Sequence, residues 1–320
     1  MNRRAFGRAA SAALATGLFA PGAAGAAAPA AANSAVYHFA VGEIRATVLS
    51  DGQMTFPAWP AYAPDVERAV VEAAMSRRHL APPDYRLDAN VLLLEIDRRR
   101  VLLDTGWGAF APPVGRLSSA LGAIGVAPEE IDLVLLSHIH PDHVGGLRDE
   151  AGEQRFARAD IVVGAREAAQ WRDGPDFGAM TIDESFRPVF AEAARLVLER
   201  GSRLRLAGEG EEVLPGLSLI ALPGHTRGHC GVRIRSGADE LIYAADCFHE
   251  QAFDLDHPHW RTAFDHDPGR AAETRIGLLE RAAADGTALM AFHMPFPGLG
   301  RIERAAERFL WQPAPWILGG

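Results

Sequence analysis

Three features of this 320-residue sequence predict an α+β chain built as two β-sheets packed together with helices outside. Short apolar runs of strand length alternate with helical patterns in two blocks of similar layout. Histidines and aspartates fall at the ends of those runs, so that several strand ends converge on one chemistry. The composition, 48% apolar and 23% charged, is that of a globular protein able to bury one large core or two closely fused halves, and it argues against disorder.

The first thirty-two residues stand apart. Arg3-Arg4-Ala5-Phe6 precedes an alanine-rich apolar run, and several A-x-A sites lie between Ala23 and Ala32; this is the pattern of a twin-arginine-type signal peptide over 1–32. The apolar run is shorter than the ~20 residues of a membrane span, so an anchor is not expected. Residues 33–320 then form a single domain destined for the periplasm, with no membrane association after processing. The leader carries three arginines and no acid, so its removal leaves a chain more acidic than the net −9 of the whole sequence. That balance argues against nucleic acid as a partner. A homodimer is kept as the candidate assembly.

In chain order, 36–50 reads as a hairpin broken at Gly42, 65–80 as a helix capped at Pro64-Asp65, and 90–96 with 100–103 as paired strands, the second ending in Asp104-Thr105-Gly106. A helix at 117–124 leads to a buried strand at 131–136, then a strand at 160–164 and a helix at 165–171. Trp171, Phe177, Met180, Phe186 and Phe190 lie in unpatterned text that reads equally as a pocket wall or as satellite core. A helix through Leu198 follows, then strands at 203–206, 212–214, 217–222, 230–235 and 240–245, a helix at 268–284 and a strand at 288–292. Cys230 and Cys247 bracket a hairpin turning at Gly237-Ala238, at roughly 7–8 Å if they are diagonal neighbours. That is long for a disulfide, so two buried thiols are expected.

The strand at 131–136 delivers Ser137-His138-Ile139-His140-Pro141-Asp142-His143, an HxHxDH cluster. His225 sits in a glycine-flanked turn after another apolar strand, His293 follows a third, and Asp246 ends a fourth. Alone, each such histidine is more often structural than a ligand. Together they make five imidazoles and two carboxylates, enough for two metal ions; nitrogen and oxygen donors without thiolate suit zinc, with iron or manganese admissible. One carboxylate between two cations can bridge them at about 3.5–4 Å. Asp104 is expected to support the cluster, because Gly106 allows close backbone approach. His249, His257, His259 and His266 crowd the loop after Asp246 and read as solvated, Arg227 is the one cation placed nearby, and Phe296 and Trp260 are divided between substrate contact and core.

HIHPDH, LLDTG, LPGHTRGH, AADC and FHMPFPGLG, in that order, resemble the metallo-β-lactamase superfamily over essentially the whole mature chain. The resemblance implies a four-layer αββα sandwich with a metal centre at one edge. It further implies that His138, His140 and His225 hold one metal and Asp142, His143 and His293 the other, with Asp246 bridging and His229 and Asp104 in support. The segment at 74–90 and the ending 293–300 look like the methyl parathion hydrolase-like and lactonase-like branch.

The expected function is a dinuclear-metal hydrolase in which a bridging hydroxide attacks a neutral ester, lactone or phosphotriester, with Asp142 and Asp246 as the catalytic carboxylates. A thiolester hydrolase or a mononuclear-iron dioxygenase of the same superfamily is the enzymatic alternative, separable by metal analysis. A non-catalytic periplasmic metal-binding protein is the alternative of another class; it is disfavoured because none of the seven ligands is missing. The absence of a G-x-S-x-G elbow and of a phosphate-cradling glycine loop argues against the usual competing chemistries.

Overall fold

In the computed structural model, residues 34–111, 114–172 and 174–315 are described; the expected signal peptide lies outside them. Among the described residues, fourteen strands form two seven-stranded sheets. The first holds β1 (Val36–Val41), β2 (Ile44–Pro57), β3 (Asp84–Ile96), β4 (Arg99–Leu103), β5 (Leu133–Leu136), β6 (Asp160–Gly164) and β7 (Leu204–Ala207), side by side in chain order. The second holds β8 (Glu212–Leu214), β9 (Leu217–Ala221), β10 (Cys230–Ser236), β11 (Asp239–Ala245), β12 (Ala288–Ala291), β13 (Leu299–Ala305) and β14 (Arg308–Pro313). The helical elements are the single turn α1 (Ala58–Ala61), α2 (Arg68–Arg77), α3 (Leu117–Ala123), the single turn α4 (Pro141–Val144), α5 (Ala165–Arg172), α6 (Arg187–Leu198) and α7 (Pro268–Asp285).

The layering follows from side-chain alternation. Successive residues of a strand face opposite sides of its sheet. Along β11, Leu241, Tyr243 and Ala245 enter the core between the sheets, whereas Ile242 and Ala244 enter a second core with Leu278, Leu279 and Ala282 of α7. On the other side, Leu117 and Leu121 of α3, Ala168 and Trp171 of α5, and Phe190 and Val197 of α6 pack with the first sheet. Both sheets are thus buried on two faces over their central strands, which explains why Leu133–Leu136 is a continuous apolar run without a polar face. The predicted two-sheet α+β sandwich is the observed architecture.

The pairings β4–β5, β5–β6, β6–β7 and β11–β12 are parallel and the others antiparallel. Parallel neighbours end on the same edge, and loops at the carboxyl ends of such strands converge there. This is what gathers the loops after β4, β5, β11 and β12. The β10–β11 hairpin turns at Gly237-Ala238 as expected, since Ser236 pairs with Asp239. Cys230 and Cys247 are buried free thiols.

One boundary differs in an informative way. The helix expected from residue 65 begins at Arg68 after Glu67, without a side-chain cap. Asp65 is not available to cap it, because its carboxylate is taken by Arg261, with Nη2 to Oδ1 at 2.8 Å. Local capping preference loses there to a long-range ion pair.

Candidate metal centre

The backbone that presents the seven predicted ligands is specialised. Pro141, at the first position of α4, has the φ that a helix start needs, so His140 precedes the turn and Asp142 and His143 lie within it. Gly145 and Gly146 let this turn lie on the 104–107 loop: a β-carbon at either would come within 2.0 Å of the Trp107 or the Thr105 carbonyl oxygen. Asp104 (φ 61°) ends β4, and Ala245 (φ 46°) immediately precedes Asp246. Left-handed backbone costs a non-glycine residue about 1–2 kcal/mol. A bulge between Tyr243 and Ala245 accompanies it and breaks the β11–β12 register just before the carboxylate.

Seven side chains from the four loops that follow β5, β9, β11 and β12 meet in a buried cluster. Asp142 is the most exposed at 9%; the others are at 4% or less. His138, His140 and His225 form one group of mutually close donor atoms, and Asp142, His143, Asp246 and His293 form a second. His140 Nδ1 stands 3.1 Å from His225 Nε2. In the second group, His143 Nε2 is 3.1 Å from Asp246 Oδ1 and 3.5 Å from Asp142 Oδ2, and His293 Nε2 is 3.1 Å from Asp142 Oδ2 and 3.2 Å from Asp246 Oδ2. Four ligands at 2.0–2.2 Å from one tetrahedral ion stand about 3.3–3.6 Å apart, so these spacings suit a zinc-sized cation in each group. Asp246 joins them, since its Oδ2 is also 3.4 Å from His225 Nε2.

The hydrogen-bond inventory tests that fit independently. His138 Nε2, His143 Nε2 and Asp246 Oδ1 are buried with no hydrogen-bond partner. An unpaired buried polar atom costs about 1–3 kcal/mol, and three of them aimed into one cluster are accounted for by cations. The outward ring nitrogens of four of the histidines are held by partners, whereas that of His140, its Nε2, is buried without one. His143 Nδ1 donates to Asp104 Oδ2 at 2.9 Å, His293 Nδ1 to the Asp88 carbonyl at 2.7 Å, and His225 Nδ1 to Asp265 Oδ1 at 3.0 Å. His138 Nδ1 lies 3.0 Å from Ser137 Oγ, which donates to Asp104 Oδ2 at 2.8 Å. Each bond fixes the tautomer that leaves Nε2 as a lone pair facing the cluster. His140 is the exception: Nδ1 faces inward while its ring lies against Phe190 and Trp171.

Electrostatics divides the two groups. Burial, reinforced by the neighbouring imidazoles, holds His138 and His140 well below the ordinary histidine range, so they are neutral donors. Burial also opposes charge on His143, but the carboxylates of Asp246, Asp142 and Asp104 outweigh it and raise that imidazole. Asp246 is held well below the carboxylate range: burial works against its charge, and His143 and His293 prevail.

Asp104 accepts from Ser137 N, Ser137 Oγ, His143 Nδ1 and, at 2.6 Å, Tyr243 Oη. His229 donates from Nδ1 to the Leu222 carbonyl, so its Nε2 accepts the Asp246 N–H. Burial lowers that imidazole to about 3, keeping Nε2 an acceptor.

Several expectations need correction. His249 is not a solvated loop residue: it is 3% exposed, its Nε2 is 3.6 Å from Asp246 Oδ2, and its Nδ1 is 3.2 Å from Asp254 Oδ2. With His225 and Asp246 it forms a third group of close donor atoms. A one-turn π-helix at Gln251–Leu255 folds Asp254 back to it, and buried Arg275 backs Asp254 at 3.3 Å. Arg227 is therefore not the one nearby cation; it pairs outward with Asp176 at 2.6 Å. Trp260 stacks on half-buried His257 and packs beside the aromatic cluster of Tyr62, Tyr85 and Phe253. Of the aromatics between 171 and 190, Trp171 and Phe190 are core behind His140, and Phe186 is exposed. Asp254, Asp265, Arg275 and Glu167 escaped sequence reasoning because each lies far in the chain from the group it supports and belongs to no recognisable spacing.

Comparison with known proteins agrees with this construction. The family model described as "Metallo-beta-lactamase superfamily" matches residues 84–292. A probable metallo-hydrolase of Mycobacterium bovis is 25% identical over 197 residues, covering 51% of this chain and 57% of that protein. An N-acyl homoserine lactonase of Bacillus cereus is 25% identical over 172 residues, covering 47% and 59%. The chain thus spans little more than half the length of these curated relatives. Among solved structures, AidC, a dizinc quorum-quenching lactonase in complex with a product, superposes with a TM-score of 0.83 at 26% identity over 89% of this chain and 99% of that one. The hydrolase AbOPH superposes with a TM-score of 0.81 at 25% identity over 90% and 100%. With the family model running through both sheets to Phe292, one residue short of the last ligand, this chain belongs to the metallo-β-lactamase superfamily.

Proposed function

We propose that this chain is an exported metal-dependent hydrolase that holds two zinc ions and cleaves a neutral ester-type bond, with lactones the leading class and other esters and phosphotriesters next. The observation that carries this reading is the placement of Asp246, whose carboxylate reaches His143 and His293 of one group and His225 of the other. His138, His140 and His225, and Asp142, His143 and His293, with Asp246 between them, would hold two divalent cations, which when bound would lower the pKa of water into the neutral range and polarise a carbonyl or phosphoryl oxygen.

The chain's own residues supply orientation and exclude other chemistry. The nucleophilic side chains beside the cluster are committed: Ser137 Oγ donates to Asp104, and Cys230 Sγ faces the Ser137 carbonyl at 3.2 Å, with burial pushing its thiol well above the usual range. Neither forms an acyl-enzyme readily. Asp142, the most exposed of the seven, stands at the solvent side, where its carboxylate can orient an attacking water and take up its proton. Arg227 and Arg275 are each paired to a carboxylate, which favours a neutral substrate over an anionic one. The lactonases among the similar proteins support the ranking of lactones first.

The decisive experiment is a hydrolysis panel of lactones, aryl esters and phosphotriesters on purified protein, before and after removal of metal by a chelator. Activity on at least one class is expected to fall to background and to return on adding zinc; equal turnover by chelated and untreated protein would refute the mechanism. Export is tested separately by cell fractionation. Replacing Arg3 and Arg4 by lysine is expected to retain the protein in the cytoplasm, and a periplasmic fraction unchanged by the double substitution would count against a twin-arginine leader.

A further inference from the structure

Glu167 is a fully buried carboxylate that makes no ion pair among the described residues, and no step of the proposed hydrolysis uses it. It sits in the first turn of α5, directly after β6. Its Oε1 accepts the Ile139 N–H at 2.8 Å and the Trp171 Nε1–H at 2.8 Å, and its Oε2 accepts the Thr226 hydroxyl at 2.5 Å. The Gly228 N–H donates to it as well. Ile139 lies between His138 and His140, and Thr226 follows His225. One carboxylate therefore grips both loops that carry the three-histidine group, which otherwise come from different sheets.

The packing around this grip is unusually close. A β-carbon on Gly228 would fall 2.0 Å from the Glu167 nitrogen, so only glycine lets the His225 loop lie on α5. The same helix holds that loop a second time, through Gln170 Oε1 accepting the Arg227 N–H at 2.6 Å. Trp171 both donates to Glu167 and lays its ring edge-on to His140, 6.0 Å between centroids. These four acceptances bind Glu167 to the 138–140 loop, the 225–228 loop and its own helix, whereas the supports of the other group are Asp104 and the Asp88 carbonyl.

We propose that Glu167 is a positioning residue for one half of the centre: it locks the loops of His138, His140 and His225 in register and adds a buried negative charge behind the cation they hold. This role presupposes the two-metal centre proposed above. Groups that orient metal ligands from behind are worth about 10–100-fold in metal affinity. Because Glu167 serves one group alone, its removal should weaken one of two metal sites and spare the other, which a general packing role would not do.

The test is stepwise zinc binding to metal-stripped protein against a competing chromophoric chelator, with cobalt absorption as a second readout. Glu167→Ala is expected to weaken one of the two constants about 10–100-fold and leave the other near wild type; Glu167→Gln, which keeps the shape and loses the charge, should fall between. Two unchanged constants, or two constants weakened equally, would overturn the proposal. Should Glu167→Ala fail to fold, Trp171→Phe removes one donor while keeping an aromatic ring; it is expected to weaken the same single constant by less, and no change there would also overturn the proposal. A wild-type chain that binds two ions yet hydrolyses nothing on the panel would end the hydrolase reading while the constants still decide Glu167. A wild type that takes up no metal would sink both.

Discussion

Replacing Asp246 by asparagine is expected to lower kcat/KM on the best substrate of the panel by about 10³-fold, equivalent to about 4 kcal/mol of transition-state stabilisation. The side chain keeps its size and the backbone N–H keeps its bond to His229 Nε2. What is lost is the charge that faces His143, His293 and His225 at 3.1–3.4 Å. A neutral amide cannot serve two cations at once, so metal content should fall from two ions toward one per chain. Steady-state kinetics and elemental analysis of the same preparation check both halves of the expectation. An asparagine variant with two ions and activity near wild type would show that Asp246 is not the shared ligand.

The second large effect is on stability and falls at Asp104. Asp104→Ala would leave Ser137 N, Ser137 Oγ, His143 Nδ1 and Tyr243 Oη without their common acceptor in a fully buried site. Removing one partner of a buried charged network costs about 3–5 kcal/mol, and at 2–4 °C per kcal/mol for a chain of this size class the melting temperature should fall by about 10 °C. Alanine would also have to adopt the left-handed backbone at φ 61°, which asparagine tolerates better. Asp104→Asn, retaining one oxygen acceptor, should therefore lose distinctly less. Thermal unfolding of the two variants in parallel decides the matter, and equal melting temperatures would show that the acceptor hub contributes little.

These two residues also mark how far the linear text could be read. Asp246 and Asp104 were both visible as acids at the ends of apolar runs, because a strand buried on both faces is written as a continuous apolar stretch and its carboxyl end is where a side chain first reaches a shared edge. The same logic exposed His225 and His293. It did not expose His249, which shares a polar loop with His257, His259 and His266 and reads there as solvated. Its burial depends on the π-turn that brings Asp254 back to it and on Arg275 of α7, twenty-one residues beyond Asp254 in the chain. Nor did it expose Glu167, an ordinary acid in a short helix until α5 is laid across two loops.

The sequence by itself determined the main strands and helices, the two-sheet architecture and the seven candidate ligands, since each rests on local periodicity, on a short motif or on a donor at the end of an apolar run. Only the tertiary structure decided which nitrogen of each imidazole faces the cluster and which acids and amides hold it there. Those properties arise from hydrogen bonds between segments far apart in the chain, such as His225 with Asp265 and His293 with the Asp88 carbonyl, and residue spacing carries no record of them.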